Sequence, residues 1–279
     1  MKKKTFLYSA IVFILVIAGV LSMFLINNGL NLKSVAGTII VRGKSADSNS
    51  YGLVLLRLPD LRETSLNFEG NNACFAGTDS KFLIEDKNGK VFLCDGKDKK
   101  EIYRSRNNLM TFSVSYVDDI HFSVVDDGKL IKVNAENGEK ETVSAGVDAV
   151  HSWSDGGKIV YYSKFINSKS HIIKYDVSGD KQTVIAIGSS PRVSKNGSVI
   201  AFLSEDNKYL TIKDFSTNKE WKYEKDVSSF CLSPDGKYLL TSETGKDESR
   251  FLKVVDYKTE KSKVIKKDVS QKYEFDWIE

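Results

Sequence analysis

The chain has 279 residues and a mass of 31.2 kDa, which allows one large domain or two ordinary ones. Hydrophobic residues make up 41% and charged residues 28% of the chain, which excludes a disordered protein. Three of the positive charges belong to Lys2, Lys3 and Lys4, and residues 31–279 carry 38 basic against 37 acidic side chains. This balance excludes the basic face that a nucleic-acid-binding protein needs.

Residues 6–26 form an uncharged apolar segment, FLYSAIVFILVIAGVLSMFLI. As a helix rising about 1.5 Å per residue, it would be about 31 Å long, which matches the hydrocarbon core of a bilayer. The lysines before it predict a cytoplasmic N-terminus. We therefore expect a basic cytoplasmic tail (residues 1–5), a single transmembrane anchor (6–26), a short linker (27–36) and an extracytoplasmic domain on the cytoplasmic membrane.

A cleaved signal peptide is the main alternative for this segment, and a buried core helix is a more remote one. A signal peptide should have an apolar run of 7–15 residues that ends near a small-x-small site. Here the run is longer, and the best such site, Ser34-Val35-Ala36, lies ten residues beyond Ile26. Cleavage would leave a secreted or periplasmic domain, so both main interpretations place the rest of the chain outside the cytoplasm.

The remainder of the chain is a repeat of about forty residues. Each copy alternates apolar and polar residues in short runs separated by turn residues, which predicts four strands with tight connections. Copies occupy, in chain order, residues 38–68 (three strands, without the first), 73–104, 112–145, 149–187, 191–225 and 229–267. A lone first strand follows at residues 273–278.

A turn of common sequence joins the first two strands of the later copies. It is Ser154-Asp155-Gly156-Gly157, then Ser194-Lys195-Asn196-Gly197, then Ser233-Pro234-Asp235-Gly236. Proline presets φ, aspartate and asparagine tolerate turn geometry, and glycine adopts positive φ. The residue directly before this turn is Trp153, Val193 or Leu232, and Trp277 of the last strand aligns with them.

Trp277 therefore places the final strand in the first copy, where the first strand is missing. The sequence predicts an all-β fold, a six-bladed β-propeller over residues 37–279 that is closed by its C-terminal strand and preceded by one transmembrane helix. Radial four-stranded sheets leave only short edges, and closing the ring with both chain ends stabilises it. An immunoglobulin-type sandwich needs only seven to nine strands and fits less well.

The stretch SPDGKYLL at residues 233–240 resembles the repeat of TolB-type, WD40-like propellers, as do SDGGKIVYYS and SKNGSVIAFLS. The resemblance covers residues 149–264 well and earlier copies poorly, and the Trp-Asp ending of true WD40 repeats is missing. It implies a propeller used for protein contacts, often in the cell envelope. Peptidases with such propellers add a catalytic domain for which this chain has no room.

Chemical motifs are few. No G-x-S-x-G, P-loop or dinucleotide motif occurs, so we predict no catalytic residue and no cofactor. Cys74, Cys94 and Cys231 are widely spaced without C-x-x-C, which indicates buried thiols and gives no metal site. His151, Arg192 and Asp276 lie at similar levels of innermost strands and are the predicted channel-lining residues. They either bind an ion or small ligand or are ordinary hydrogen-bonded strand residues.

Three connections between second and third strands look longer than the others: residues 43–51, 164–170 and 243–250. Long loops on a rigid scaffold are frequent binding sites, although such loops also merely tolerate insertions. From these loops we predict six partner-binding residues: Lys164, Phe165, Ile166, Asn167, Asp247 and Arg250.

The leading functional hypothesis is a non-enzymatic, membrane-anchored scaffold that binds another envelope protein. One alternative is a sensor of envelope sugar or peptide fragments, marked by exposed aromatic residues. Another is a small hydrolase or lyase, which would need converging carboxylates, histidine or arginine at the channel mouth. No nucleic-acid partner is expected.

Overall fold

The computed structural model describes residues 29–279, except for residues 45–50, 67, 69, 71, 97, 106–113, 225–226 and 270–274. A short 3-10 helix, Leu32–Ser34, precedes the strands, and a 3-10 turn, Asp155–Gly157, follows one of them. The strands of this described part are, as β1 to β24, Gly37–Lys44, Tyr51–Leu58, Arg62–Leu66, Asn72–Phe75, Lys81–Glu85, Lys90–Asp95, Asp98–Arg104, Val114–Asp118, His121–Asp126, Lys129–Asn134, Lys140–Ala145, Val147–Ser154, Ile159–Ile166, Lys169–Asp176, Lys181–Ile187, Ser189–Val193, Val199–Leu203, Leu210–Asp214, Glu220–Tyr223, Val227–Leu232, Leu239–Thr244, Arg250–Val255, Ser262–Lys267 and Asp276–Ile278.

These strands form six antiparallel four-stranded sheets, as the repeat predicts. Blade 1 has the order β24-β1-β2-β3, and blades 2 to 6 use the following strands four at a time. The C-terminal strand thus lies beside β1, with Trp277 opposite Ile39. The predicted six blades and their closure by both chain ends are confirmed. Of the predicted strand 273–278, residues 273–274 lie outside the described residues, Phe275 precedes the strand, and the strand itself spans Asp276–Ile278.

Closure brings the two ends of the domain into tight contact. Gly37 begins β1 with a φ of 115°, and a Cβ there would lie 2.2 Å from the carbonyl oxygen of Ile278. The indole Nε1 of Trp277 donates to the carbonyl of Ala36 at 3.1 Å. Only glycine fits this position, because the conformation and the space both exclude a side chain.

The apolar faces of neighbouring blades pack against each other and form the core. The largest described cluster joins blades 1 and 6 and includes Ile39, Leu56, Leu252 and Trp277. Leu30, Leu32 and Val35 are buried in the same cluster. The predicted linker, residues 27–36, is therefore part of the folded domain from Leu30 onward, because its apolar side chains cover the seam between these blades.

The repeated turn owes its shape to a serine hydroxyl. In the turn of blade 6, Ser233 Oγ donates to Asp235 Oδ1 at 2.7 Å and accepts from the Tyr238 amide at 2.9 Å. Ser194 makes the same two contacts with Asn196 and the Val199 amide. The side chain thus satisfies backbone groups that the ends of the strands leave unpaired.

The prediction of a long loop at residues 164–170 is wrong. Residues 164–170 form a hairpin with a two-residue turn, because Asn167 and Ser168 adopt left-handed conformations with φ of 50° and 65°. Such a turn matches the strand twist, so β13 and β14 stay paired to Ile166 and Lys169. Residues 245–249 do form a loop, and most of the third, residues 45–50, lies outside the described residues.

Among the described residues, no helix is long and apolar enough to span a membrane. The predicted anchor, residues 6–26, lies outside the described part of the chain.

Stability should fall in acid because of a recurring aspartate–serine contact. Hydrogen bonds from serine hydroxyls hold the pKa values of Asp176, Asp206, Asp214 and Asp247 below the ordinary value, for Asp206 at about 2. The unfolded chain therefore takes up protons at a higher pH than the folded chain. We expect the Tm to be highest above about pH 5 and to fall as the pH drops towards about 2.

Thermal unfolding followed by circular dichroism across this pH range measures the effect. Asp206→Asn should lose a part of the acid sensitivity, since an amide has no such titration. A Tm that stays constant from pH 6 down to pH 3 would contradict the assignment of the acid sensitivity to these aspartates.

Candidate functional site

A cavity of about 460 Å³ lies on the ring axis and opens among the turns that join first to second strands. Gly77, Gly156, Lys195 and Pro234, from four of these turns, line its mouth. A second, smaller cavity of about 80 Å³ lies at the other end of the first strands. Arg192 and Phe275 line both cavities and separate them.

Each blade contributes one residue at the same level of the larger cavity, directly before the residue that precedes the turn. We call this set the channel ring, which in blade order consists of Asp276, Cys74, Tyr116, Ser152, Arg192 and Cys231. The strand register confirms the equivalence, because Asp276 faces Ile40, Ser152 faces Tyr161 and Arg192 faces Ala201 on the second strands. Apart from the two cysteines, these side chains differ from one another in charge, size and hydrogen-bonding capacity.

Two ring residues also connect neighbouring blades. Asp276 Oδ2 accepts a hydrogen bond from the Phe75 amide of blade 2 at 3.0 Å. Ser152 Oγ likewise accepts from the Val193 amide of blade 5 at 3.1 Å. A side chain in this position therefore satisfies a backbone donor on the first strand of the next blade, which gives the ring a structural role.

Charge of both signs surrounds the cavity. Asp118 and Asp119 lie at the mouth on blade 3, opposite in sign to Arg192 and Lys195. Asp118 Oδ1 lies 2.7 Å from His121 Nδ1. The Tyr116 hydroxyl donates to Asp119 Oδ1 at 2.8 Å, and burial together with this contact raises the pKa of Tyr116. The cavity thus offers anchoring groups for a ligand with both donors and acceptors.

The predicted channel-lining residues divide into two groups. Arg192 and Asp276 line the cavity. His151 is fully buried instead, and its Nε2 lies 2.6 Å from Ser123 Oγ on blade 3. Its side chain alternates with that of Ser152 along β12, so it faces the neighbouring blade while Ser152 faces the axis. Trp153 Nε1 donates to the same Ser123 hydroxyl at 2.8 Å.

The predicted partner-binding residues lie at the opposite end of the strands from the cavity mouth. Phe165 is 68% exposed at the tip of the β13–β14 hairpin, whereas Ile166 is half-buried against the core. Lys164 is also a strand residue, and Asn167 forms the turn. On blade 6, Asp247 caps its own loop by accepting from Ser249, and Arg250 begins β22.

Arg250 has an unusual environment. Its Nε and Nη1 atoms are buried and make no hydrogen bond within the described residues. Its backbone carbonyl accepts from the Val269 amide at 3.4 Å, and Val269 in turn bridges to Gly43 of β1. This side chain thus lies where blades 1 and 6 meet, close to the ends of their strands.

Four ring residues are not among those predicted from the sequence: Cys74, Tyr116, Ser152 and Cys231. The signal was present, since the alignment that equates Trp153, Val193, Leu232 and Trp277 also equates the residues directly before them. The three cysteines are thiols and form no disulfide. Burial raises the pKa of the Cys94 thiol to about 11.

No family model and no curated protein matches the sequence. The fold is similar to TolB from Acinetobacter baumannii, with a TM-score of 0.55 at 14% identity over 88% of this chain and 56% of that one. A structure of the nidogen/laminin complex matches with a TM-score of 0.63 at 9% identity, over 87% of this chain and 98% of that one. A TolB-like protein from Agrobacterium tumefaciens matches with 0.61 at 10% identity, over 88% and 98%. The chain therefore has the six-bladed β-propeller fold that is also found in TolB structures.

Proposed function

We propose that this protein is a non-enzymatic scaffold of the cell envelope, anchored in the cytoplasmic membrane by residues 6–26, that binds other proteins through its propeller. The observation that carries the proposal is the channel ring. The blades repeat their core positions with similar apolar residues, yet the ring position holds five different residue types in six blades, with cysteine alone occurring twice. A polypeptide segment in the cavity would contact all six blades and be recognised by a pattern of charges and hydrogen bonds.

Structural relatives support this choice. One similar structure is a nidogen/laminin complex, in which a propeller of this fold occurs in an assembly with another protein. The fold alone is shared at such identities, so the chemistry must come from this chain's own residues.

The exposed Phe165 provides a second contact on the opposite end of the ring. Phe165 is the most exposed large apolar side chain among the described residues, at 68%, and it stands on a rigid hairpin. Aromatic anchors of this kind supply a large share of the binding energy in protein interfaces. We expect Phe165→Ser to weaken capture of the partner by at least tenfold in a pull-down from envelope extract, without a change in Tm.

Val184→Ser is the matched control, because Val184 is 53% exposed on the outer strand β15, away from the hairpin tip. Equal capture by the wild-type protein and the Phe165→Ser variant would exclude the hairpin as a contact. Recovery of no specific protein by the wild-type chain, with and without crosslinking, would contradict the scaffold function itself.

A sensor of sugar or peptide fragments is the second candidate, because the cavity volume of about 460 Å³ lies within the usual range for small-ligand sites. Envelope fragments should then raise the Tm of the wild-type protein, since a ligand that binds only the folded state stabilises it. Arg192→Gln should abolish the increase. No increase with any fragment class would remove this candidate.

A further inference from the structure

The chain enters the propeller on the same side as the cavity mouth. Within residues 29–36, the Leu30 amide donates to the carbonyl of Ser262 at 3.2 Å, where β23 begins. Ser34 Oγ lies 3.2 Å from the hydroxyl of Tyr238, in the turn between the first two strands of blade 6. Both contacts belong to the end of the strands that carries the mouth.

The strand directions determine which strand ends lie on the side of the cavity mouth. First strands end at the mouth, second strands leave it, and fourth strands begin there, because neighbours in every blade are antiparallel. β1 is a second strand, so Gly37 lies at the mouth side and Lys44 at the far side. The far side carries the hairpin tip with Phe165. We name the two sides the mouth face and the hairpin face.

The connection to the proposed anchor is short. The apolar segment ends at Ile26, and Leu30 is already fixed to Ser262 in the fold. Four residues span at most about 14 Å when fully extended. If residues 6–26 cross the membrane, the rim of the mouth face between blades 6 and 1 lies within that distance of the bilayer surface.

We propose that the mouth face is turned towards the membrane and that the cavity binds a short extracytoplasmic segment of a protein embedded in the same bilayer. This inference rests on the proposed anchor. A folded domain of 100 residues is about 30 Å across and does not fit into such a gap. A loop or terminus in extended form adds only about 5 to 10 Å of thickness and does fit.

The chemistry of the cavity matches such a segment. Backbone amides and carbonyls of an extended chain both donate and accept hydrogen bonds, and the channel ring offers Asp276 and Arg192 for these two roles. The hairpin face, which carries the exposed Phe165, is directed away from the membrane and remains open to folded partners. The propeller thereby joins an integral membrane protein to a soluble one.

Two turns of nearly identical geometry on opposite faces allow a direct test of orientation. Lys237 on the mouth face and Lys208 on the hairpin face each follow a Ser-x-Asp turn, with their side chains 70% and 77% exposed. Glu136 lies on the mouth face of blade 3, across the ring from blade 6, and therefore reports any tilt of the ring axis relative to the membrane. A donor dye is attached at one of these positions through an unnatural amino acid, in full-length chain reconstituted into liposomes with acceptor-labelled headgroups.

We expect energy transfer to be strong from Lys237, nearly as strong from Glu136 and clearly weaker from Lys208. Transfer from Lys208 that equals or exceeds that from Lys237 would overturn the orientation while leaving the anchor intact. A chain that carbonate washing removes from native membranes would overturn the anchor, and the orientation with it, so the two failures are distinguishable.

The nature of the ligand is tested by photo-crosslinking in native membranes. A benzophenone amino acid replaces Lys195 at the cavity mouth or Phe165 on the hairpin face. We expect the Lys195 adducts to contain a second protein that itself resists carbonate extraction, and the Phe165 adducts to contain soluble proteins. Lys195 adducts made only with soluble proteins, or the same adducts from both positions, would overturn the proposal.

Discussion

Trp277→Ala should destabilise the protein by about 3–5 kcal/mol, as truncation of a buried aromatic side chain usually does. Trp277 is 5% exposed in the cluster between blades 1 and 6, and its indole donates to the Ala36 carbonyl. It lies on a strand of only three described residues that closes the ring. Urea unfolding measures the loss, and limited proteolysis shows whether the chain ends become accessible.

Trp153→Ala is the matched control. Trp153 occupies the same position in blade 4, is 7% exposed, and also donates its indole N–H, here to Ser123. Its strand belongs to a blade that is continuous in sequence, so we expect a similar loss of stability without new cleavage near residues 29–36. A Trp277→Ala variant that loses less than 1 kcal/mol would show that this side chain does not hold the ring closed.

Glu243→Leu should destabilise the protein by a similar amount, because it leaves the largely buried ammonium group of Lys253 without its partner. Glu243 lies in β21, and only 6% of its side chain is exposed; Lys253 Nζ lies 2.5 Å from its Oε2, with 16% exposed. Tyr223 and Thr241 donate to Oε1 at 2.6 and 2.8 Å. Breaking a buried ion pair by removal of one partner typically costs about 3–5 kcal/mol.

Removing both charges should reverse most of this effect. In Glu243→Leu/Lys253→Met no uncompensated charge remains, and apolar replacements of buried pairs are often neutral. Urea unfolding of Glu243→Leu, Lys253→Met and the double variant gives the three free energies of unfolding that a double-mutant cycle compares with that of the wild-type protein. A double variant that is as unstable as Glu243→Leu would show that the hydrogen bonds from Tyr223 and Thr241, and not the charge, determine the loss.

Much of the fold could be predicted because each blade carries its own local signals. Alternation marks the strands, and the Ser-x-Asx-Gly turns are stabilised by contacts between residues two to five apart, as for Ser233 with Asp235 and Tyr238. Closure was predictable for the same reason, since Trp277 repeats the position of Trp153. A repeat carries these strand and turn signals several times, so the fold can be predicted even where one copy shows them weakly.

The candidate site was less predictable because it depends on the direction of side chains and on distant partners. His151 and Ser152 are adjacent in sequence, yet one is buried against blade 3 and the other lines the cavity. The sequence predicts a long loop where Asn167 and Ser168 form a two-residue hairpin turn, because left-handed turn conformations in residues other than glycine leave little trace in the sequence. Burial of Leu30 and Val35 depends on blade 6, which follows about 200 residues later.

Both proposed binding faces depend on a closed ring, and hydrogen exchange tests closure most directly. The backbone amides of β24 and β1 pair across the two ends of the chain, from Thr38 opposite Ile278 to Ile40 opposite Asp276. We predict that these segments exchange as slowly as the paired strands β12 and β13 in the continuous blade 4. Rapid exchange of residues 276–278, with blade 4 still protected, would contradict the account.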